Sequence, residues 1–241
     1  MKAIILAGGK GTRLYPVTLE TPKPLLTVRK KPIINYLIDM FRRHGVHDIK
    51  IVVAKDHLDD FQWWLKRYSE QLGGVDISFE VEDEPMGTFG SLAHKLTDWV
   101  GLDDFFVTNA DELKEVDLDE LINVHAAAGA DATIALAHVN NPKEYGVAVT
   151  DGYLIREFIE KPQNPPSNYI SSGLYLLSPR VFDYIWQEVE EGKKFLMIEK
   201  DVFPKIAKEN KLAGYKFTGQ WYDCGTIERW EIAIKNWKNK E

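Results

Sequence analysis

The stretch Ala3-Ile4-Ile5-Leu6-Ala7-Gly8-Gly9-Lys10-Gly11-Thr12-Arg13 decides the fold, because an apolar run of strand length feeds straight into a glycine loop that carries cations. Glycines let backbone N–H groups approach an oxyanion closely, so the loop made by Ala7, Gly8, Gly9, Gly11 and Thr12 reads as a phosphate cradle. Arg13, and Lys23 in the Pro22-Lys23-Pro24 that follows, add full positive charge where a polyphosphate would lie. Residues 1–31 hold seven cations against Glu20 alone, a balance of +6 in a chain of net charge -7, which leaves -13 for the remainder.

That remainder bounds the partners. Overall acidity, with a pI near 5.5, argues against a nucleic-acid or membrane-surface binder, since both reward a basic face, and the anionic ligand is therefore expected to be small. A chain of 241 residues at 44% hydrophobic and 28% charged can bury one substantial core, so one domain with a small appended lobe is expected. Cys224 is the single cysteine, which excludes a disulfide framework and a cysteine-rich zinc site and fits a reducing compartment, the cytoplasm by default. No apolar run approaches the roughly 18 residues of a membrane span, and the run Ala3 to Ala7 is too short for a signal segment.

Working outward from the first strand, strand-length apolar runs alternate with segments of helical period, the pattern of a doubly wound, mostly parallel α/β sheet. Ile33, Leu37, Ile38 and Phe41 form one stripe of a helix that begins at Pro32 and is stopped by Gly45. Ile49 to Ala54 reads as the next strand, Phe61, Trp64, Leu65 and Tyr68 as the inner face of the next helix, and further strands are expected near 75–82 and 104–109. From about residue 131 the strands crowd together, at 131–138, 146–150, 153–159 and 169–177, which predicts hairpins or an antiparallel extension. Asn164 to Asn168 is the clearest turn, Ser178-Pro179 caps a helix reaching toward Val189, and a terminal helix runs over 226–241.

The loop has two look-alikes. Gly9-x-Gly11 matches the first half of a dinucleotide fingerprint, but position 14 is Leu and the loop continues through Pro16 instead of opening a helix, so hydride transfer is disfavoured. A Walker A loop fails because no Gly-Lys-Ser/Thr closes it. Two other candidates read as structural. His44 and His47 lie three apart with no third ligand, and Cys224 is most simply a packing residue. Trp63-Trp64 and the stripe Trp230, Ile234, Trp237 are core or docking surface, with a homo-oligomer contact as the secondary reading.

Gly8 to Thr18 followed by Pro22-Lys23-Pro24-Leu25-Leu26 resembles the signature of sugar-1-phosphate nucleotidyltransferases, also called nucleoside-diphosphate-sugar pyrophosphorylases. Six further motifs follow in the family's order: Glu84 to Thr88, Asn109 to Asp111, Glu144 to Val147, Glu160 to Pro162, Ser172 to Tyr175, and Trp221 to Gly225. The resemblance implies a Rossmann-like nucleotidyltransferase fold with residues 1–130 mainly for the nucleotide, 131–225 an antiparallel sugar-binding lobe, and 226–241 a helix. It implies an enzyme that joins a nucleoside triphosphate to a sugar 1-phosphate and releases pyrophosphate. Both reactants are anions, so such catalysis is mostly positioning and electrostatic stabilisation, and no protein nucleophile is required.

On that resemblance Arg13 lies on the triphosphate and Lys23 reaches the α-phosphate and the attacking oxygen. Asp111 and Asp223 are the expected Mg2+ ligands, hard carboxylates 112 residues apart that only folding could unite. Asp111 follows Ala110 where the family usually has Gly. Glu82 occupies the base-reading position, and a carboxylate, which only accepts hydrogen bonds, suits the adjacent N–H donors of guanine and favours GTP. Gly87 gives the base room for close backbone approach. Gly146, Glu160, Lys161, Ser171 and Ser172 are the sugar-phosphate candidates, Glu160 for hydroxyls and Lys161 for the phosphate.

Glu84 to Thr88 and Ile198 to Pro204 look like the mannose-1-phosphate guanylyl group, the leading reading. Asn168-Tyr169 and Gly173-Leu174-Tyr175 look more like glucose-1-phosphate thymidylyltransferases, and Ser171-Ser172-Gly173 departs from the Asn-Ala-Gly common in the mannose group. A thymidylyl- or uridylyltransferase therefore stays open as the alternative. A non-catalytic nucleotide-sugar-binding regulator is the rival from another class, and it would be expected to lose the cations and carboxylates that are present here. With the sequence ending near 241, the C-terminal β-helix of some relatives is expected to be missing.

Overall fold

The computed structural model describes residues 1–239, so the last two residues of the expected terminal helix, 240 and 241, lie outside the described residues. The chain forms two compact units, each assembled from separated segments. The glycine-loop unit comprises Ala3–Pro85, Asn109–Glu115 and the chain from Gly219 onward; the central unit comprises Met1–Lys2, Met86–Thr108 and Val116–Thr218.

In the glycine-loop unit the strands Lys2–Leu6, Asp48–Ala54 and Asp76–Glu82 lie side by side, with Asp48–Ala54 and Asp76–Glu82 parallel and paired along their whole length. Ala3, Ile4 and Ile5 are fully buried, as expected of a strand covered on both faces. The helix Ile33–Arg43 buries Ile33, Leu37, Ile38 and Phe41, and its chain turns at Gly45 with φ 73°. Leu58–Tyr68 follows the second strand and buries Phe61 and Trp64, and the Trp64 indole donates to Asn35 at 2.8 Å. A second core gathers Leu14, Leu26, Val28, Ile33, Leu113, Cys224 and Trp237. The terminal helix Ile227–Asn236 packs on it through Trp230 and Ile234. Of the tryptophans read as core or docking surface, only Trp63 is largely exposed, at 61%.

The central unit bears out the antiparallel strands expected from about residue 131 and corrects the expectation of a mostly parallel sheet. Tyr169–Leu177 runs antiparallel to both Phe105–Asn109 and Ala132–His138, and Leu154–Glu160 runs antiparallel to Gly146–Asp151 and to Leu212–Lys216. Leu212–Lys216 beside Ala132–His138 is parallel. The cause is connection length. Gly146–Asp151 and Leu154–Glu160 are joined by two residues, Gly152 at φ 58° and Tyr153, and so short a link permits only an antiparallel return. The α/β class holds and the sheet is mixed. The segment after Ser178-Pro179 is a 3-10 turn, Pro179–Ile185, before the short helix Trp186–Glu190. No helix among the described residues is long and apolar enough to cross a membrane.

Candidate active site

The loop leaves the strand at Leu6 and stays irregular through Gly11, with Gly9 and Lys10 exposed. Gly11 has φ 63°, and its carbonyl accepts from the Thr18 hydroxyl at 2.8 Å. A Cβ at Gly11 would sit 3.0 Å from the Thr18 methyl, so both the left-handed backbone and the space require glycine. The loop ends in the turn Thr12–Leu14, which buries Leu14 and leaves Arg13 exposed.

Lys23 stands in a second turn, Lys23–Leu25, between Pro22 and Pro24, and is itself only 7% exposed. Its ammonium is ion-paired to Asp111. Desolvation alone would raise the Asp111 carboxyl, but the adjacent Lys23 charge and hydrogen bond, with Lys114 behind them, hold it below the usual carboxylate range.

Asp111 and Asp223 are brought together by a two-stranded ribbon that the sequence did not suggest. Glu112–Lys114 pairs antiparallel with Trp221–Asp223, in a register that sets Asp223 against Glu112. The next rung is the Cys224 N–H donating to the Asp111 carbonyl at 3.1 Å. Asp223 is held on both oxygens, by the Gly225 N–H at 2.6 Å and by Arg229 at 2.6 Å. A Cβ on Gly225 would lie 2.7 Å from the Asp223 carboxylate and 3.2 Å from the Arg13 guanidinium, so those two groups flank the same glycine. Arg13, Lys23, Asp111 and Asp223 thus converge within one unit.

Three participants were missed. Arg229 lies in the first turn of the terminal helix, where a cation opposes the helix dipole unless something pairs it, and that misplacement was the available signal. Glu112 and Lys114 sit on one face of the ribbon strand, Lys114 with a fully buried side chain 3.2 Å from Glu112, and the Trp221 indole donates to Glu112 at 2.8 Å. Burial pushes Glu112 up to about 7, with the Asp111 and Asp223 charges adding to the rise and Lys114 opposing it. Burial likewise pushes the Lys114 ammonium down. The alternation Glu112-Leu113-Lys114 was the readable sign of a short strand. Cys224 is wholly buried in the core beneath, and burial raises its thiol, so it packs as expected.

Glu82 ends the strand Asp76–Glu82 and is 7% exposed, unlike Asp83 and Glu84 after it, so it is no solvated acidic edge. A Cβ on Gly8 would stand 2.8 Å from its carboxylate, which places Glu82 against the glycine loop. Gly87 belongs to the central unit, at φ 77°, where a side chain would run into the Leu196 carbonyl.

The sugar-phosphate candidates all fall in the central unit. Gly146 faces Glu160 across the hairpin, and a Cβ there would stand 3.0 Å from the Glu160 carboxylate and collide with the Phe158 ring. Lys161, at φ 51° and with its side chain 63% exposed, has its ammonium 3.3 Å from Glu160. Ser171 and Ser172 part company. The Ser171 hydroxyl lies 3.3 Å from the Tyr175 hydroxyl, whereas Ser172 is fully buried and donates to the Ala135 carbonyl at 2.8 Å, so Ser172 is set aside as a ligand residue.

Fold and geometry define the class first: an α/β protein with an open glycine loop, two buried or clamped carboxylates, and cations matched to them. A family model described as nucleotidyl transferase matches residues 2–239, and the chain belongs to that family. The mannose-1-phosphate guanyltransferase of Saccharomyces cerevisiae is 40% identical over 232 residues, which cover 93% of this chain and 61% of that protein. The mannose-1-phosphate guanylyltransferase catalytic subunit beta of Xenopus tropicalis is 37% identical over 230 residues with the same coverage. The chain therefore spans about three fifths of the length of these curated relatives. A crystal structure described as a glucose-1-phosphate thymidylyltransferase of Bacillus anthracis, with bound sucrose, superposes with a TM-score of 0.88 at 31% identity, covering 99% of this chain and 98% of that one. A UDP-glucose pyrophosphorylase with UDP-glucose shares the fold at a TM-score of 0.81 and 23% identity over 97% of each chain.

Proposed function

We propose that this protein transfers a nucleotidyl group from a nucleoside triphosphate to a sugar 1-phosphate, with GTP and mannose 1-phosphate as the leading pair. A phosphate oxygen of the sugar 1-phosphate attacks the α-phosphorus, the bond from that phosphorus to the bridging oxygen breaks, and pyrophosphate leaves. The observation that carries this reading is the ribbon that brings Asp223 to within one rung of Asp111, with Lys23 paired to Asp111 and Arg13 beside Asp223. Cations at those points offset the repulsion between two anionic reactants, and rigid turns hold them in place before the reaction begins.

The donor set suits magnesium: two hard carboxylates, in number what magnesium takes when the substrate's phosphates supply the rest, with the nearby Cys224 thiol kept protonated by burial. Asp111 and Asp223 would hold it. A bound magnesium ion would draw negative charge off the phosphates. Lys23 and Arg229 keep both carboxylates aimed and charge-balanced meanwhile. The nucleotide is assigned to Ala7, Gly8, Gly9, Gly11 and Thr12, with Glu82 and Gly87 for the base. The sugar phosphate is assigned to Gly146, Glu160, Lys161 and Ser171. The acidic chain with one buried cysteine suits the cytoplasm, with no nucleic-acid or membrane partner.

The test is a matrix of GTP, dTTP and UTP against mannose and glucose 1-phosphates, with pyrophosphate detection and with or without magnesium. Magnesium-dependent release, greatest for GTP with mannose 1-phosphate, is the expected result. Greater release with dTTP and glucose 1-phosphate would favour the second reading, which the likeness to the Bacillus anthracis structure supports. No release from any pair would leave the regulatory reading.

A further inference from the structure

The central unit holds a chain of hydroxyls that ends on the Glu199 carboxylate. Glu199 accepts from the Thr88 hydroxyl at 2.6 Å and from the Tyr175 hydroxyl at 3.4 Å. Thr88 is itself fixed as an acceptor from the Ile198 N–H at 3.0 Å. Tyr175 accepts in turn from the Ser171 hydroxyl at 3.3 Å, and Ser171 accepts from the Gly173 N–H at 3.2 Å.

Such proximity is not what a plain strand gives. Residues four apart in an unbroken strand stand roughly 13 Å from each other along it. Here the strand Tyr169–Leu177 bulges, with Ser171 opposite Leu136 but Tyr175 opposite Ile134, and Gly173 at φ 63°. Bulges re-aim side chains, and this one turns Ser171 and Tyr175 into one hydrogen-bonded pair.

We propose that Glu199 is a positioning residue that selects the sugar by fixing the direction of this relay, so that Ser171 can only accept a hydrogen bond from a hydroxyl of the sugar 1-phosphate. A carboxylate has no proton to give, so Tyr175 must donate to it, Ser171 must donate to Tyr175, and the remaining lone pair of Ser171 is an acceptor. Glu160 works in the same sense. Its charge is felt at Glu199, so this part of the unit presents two acceptors and favours a neutral, hydroxyl-rich ligand face. Burial, reinforced by Glu160, raises the Glu199 carboxyl above its usual range, so acid reverses the relay by turning Glu199 into a donor. The inference rests on the transferase reading and on Ser171 as a sugar contact within it.

The experiment measures steady-state kinetics with GTP and mannose 1-phosphate for wild type, Ser171→Ala, Tyr175→Phe, Glu199→Gln and the double variant Ser171→Ala/Tyr175→Phe. Each single change is expected to raise the sugar-phosphate KM about tenfold, the cost of one buried hydrogen bond, while the KM for GTP stays put. The double variant is expected to cost no more than either single, because both break one chain. The wild-type sugar KM is expected to rise toward acid, and the Tyr175→Phe KM to lose that rise. Additive effects, an unmoved sugar KM, or both KM values rising together with a lowered melting temperature would overturn the relay. Absence of pyrophosphate release by the wild-type protein with every substrate pair would instead overturn the transferase reading and the relay with it.

Discussion

Lys23 is a cation with almost no contact with water, locked between two prolines and matched to one carboxylate. Removing one partner of such a pair leaves the other charge poorly compensated, so Lys23→Ala should cost more than a surface lysine would. If its ammonium also meets the α-phosphate, kcat for pyrophosphate release falls by roughly a hundredfold or more, measured below the variant's melting temperature. Asp223 depends on Arg229 as Asp111 depends on Lys23. Arg229→Ala is therefore expected to raise the magnesium concentration for half-maximal activity about tenfold, checked by a magnesium titration at saturating substrates, and an unmoved midpoint would separate Arg229 from the metal. Glu82→Gln replaces two acceptors with one acceptor and one donor. It is expected to lower the ratio of GTP to UTP turnover, measured by competition, and an unchanged ratio would remove Glu82 from base reading.

At the scale of elements, the decisive piece is a ribbon of three residues on each side. It is too short to be stable by itself, and its alignment relies on the approach of Gly219 to the Glu115 backbone, where a Cβ would collide with the carbonyl. Gly219→Ala should destabilise the protein by about 1–3 kcal/mol in denaturant unfolding, because neither backbone can yield without shifting the ribbon. The helix Leu118–Ala128 offers a pH test. His125 is buried on it, 2.8 Å from the Thr133 hydroxyl, and burial holds its pKa below the usual value despite Asp104 and Asp131 nearby. A depressed folded pKa gives stability that is present above the unfolded value of 6.5 and lost as pH falls below it. Between pH 7 and pH 5 the urea midpoint of the wild type is expected to drop more than that of His125→Gln.

Across the whole molecule, membership of the two compact units does not follow position along the chain. Asp111 and Asp223 share the glycine-loop unit although 112 residues separate them, while Gly87, close in sequence to Glu82, belongs to the central unit. If the glycine-loop unit holds the triphosphate, GTP with magnesium stabilises the folded state by mass action, by about 2.7 kcal/mol at a hundredfold excess over the dissociation constant. A protein of this size should then melt several degrees higher, about 5 °C or more, in a thermal-shift assay, and dTTP should raise it less.

What the sequence determined alone was local. The first strand, its glycine loop, the helix Ile33–Arg43 and the parallel pair Asp48–Ala54 and Asp76–Glu82 followed from apolar period and from glycine, because those signals act within a few residues of themselves. The resemblance of ordered motifs named the residues to watch, yet it could not distinguish Ser171 from its neighbour Ser172, since only the bulge at Gly173 turns one toward Tyr175 and leaves the other on Ala135. Tertiary structure alone decided the bulged register of Tyr169–Leu177, the ribbon that sets Asp223 one rung from Asp111, and the buried pair Glu112 and Lys114. Strand pairing is a contact between distant segments, and neither partner of such a pair carries in its own residues the register that the other supplies.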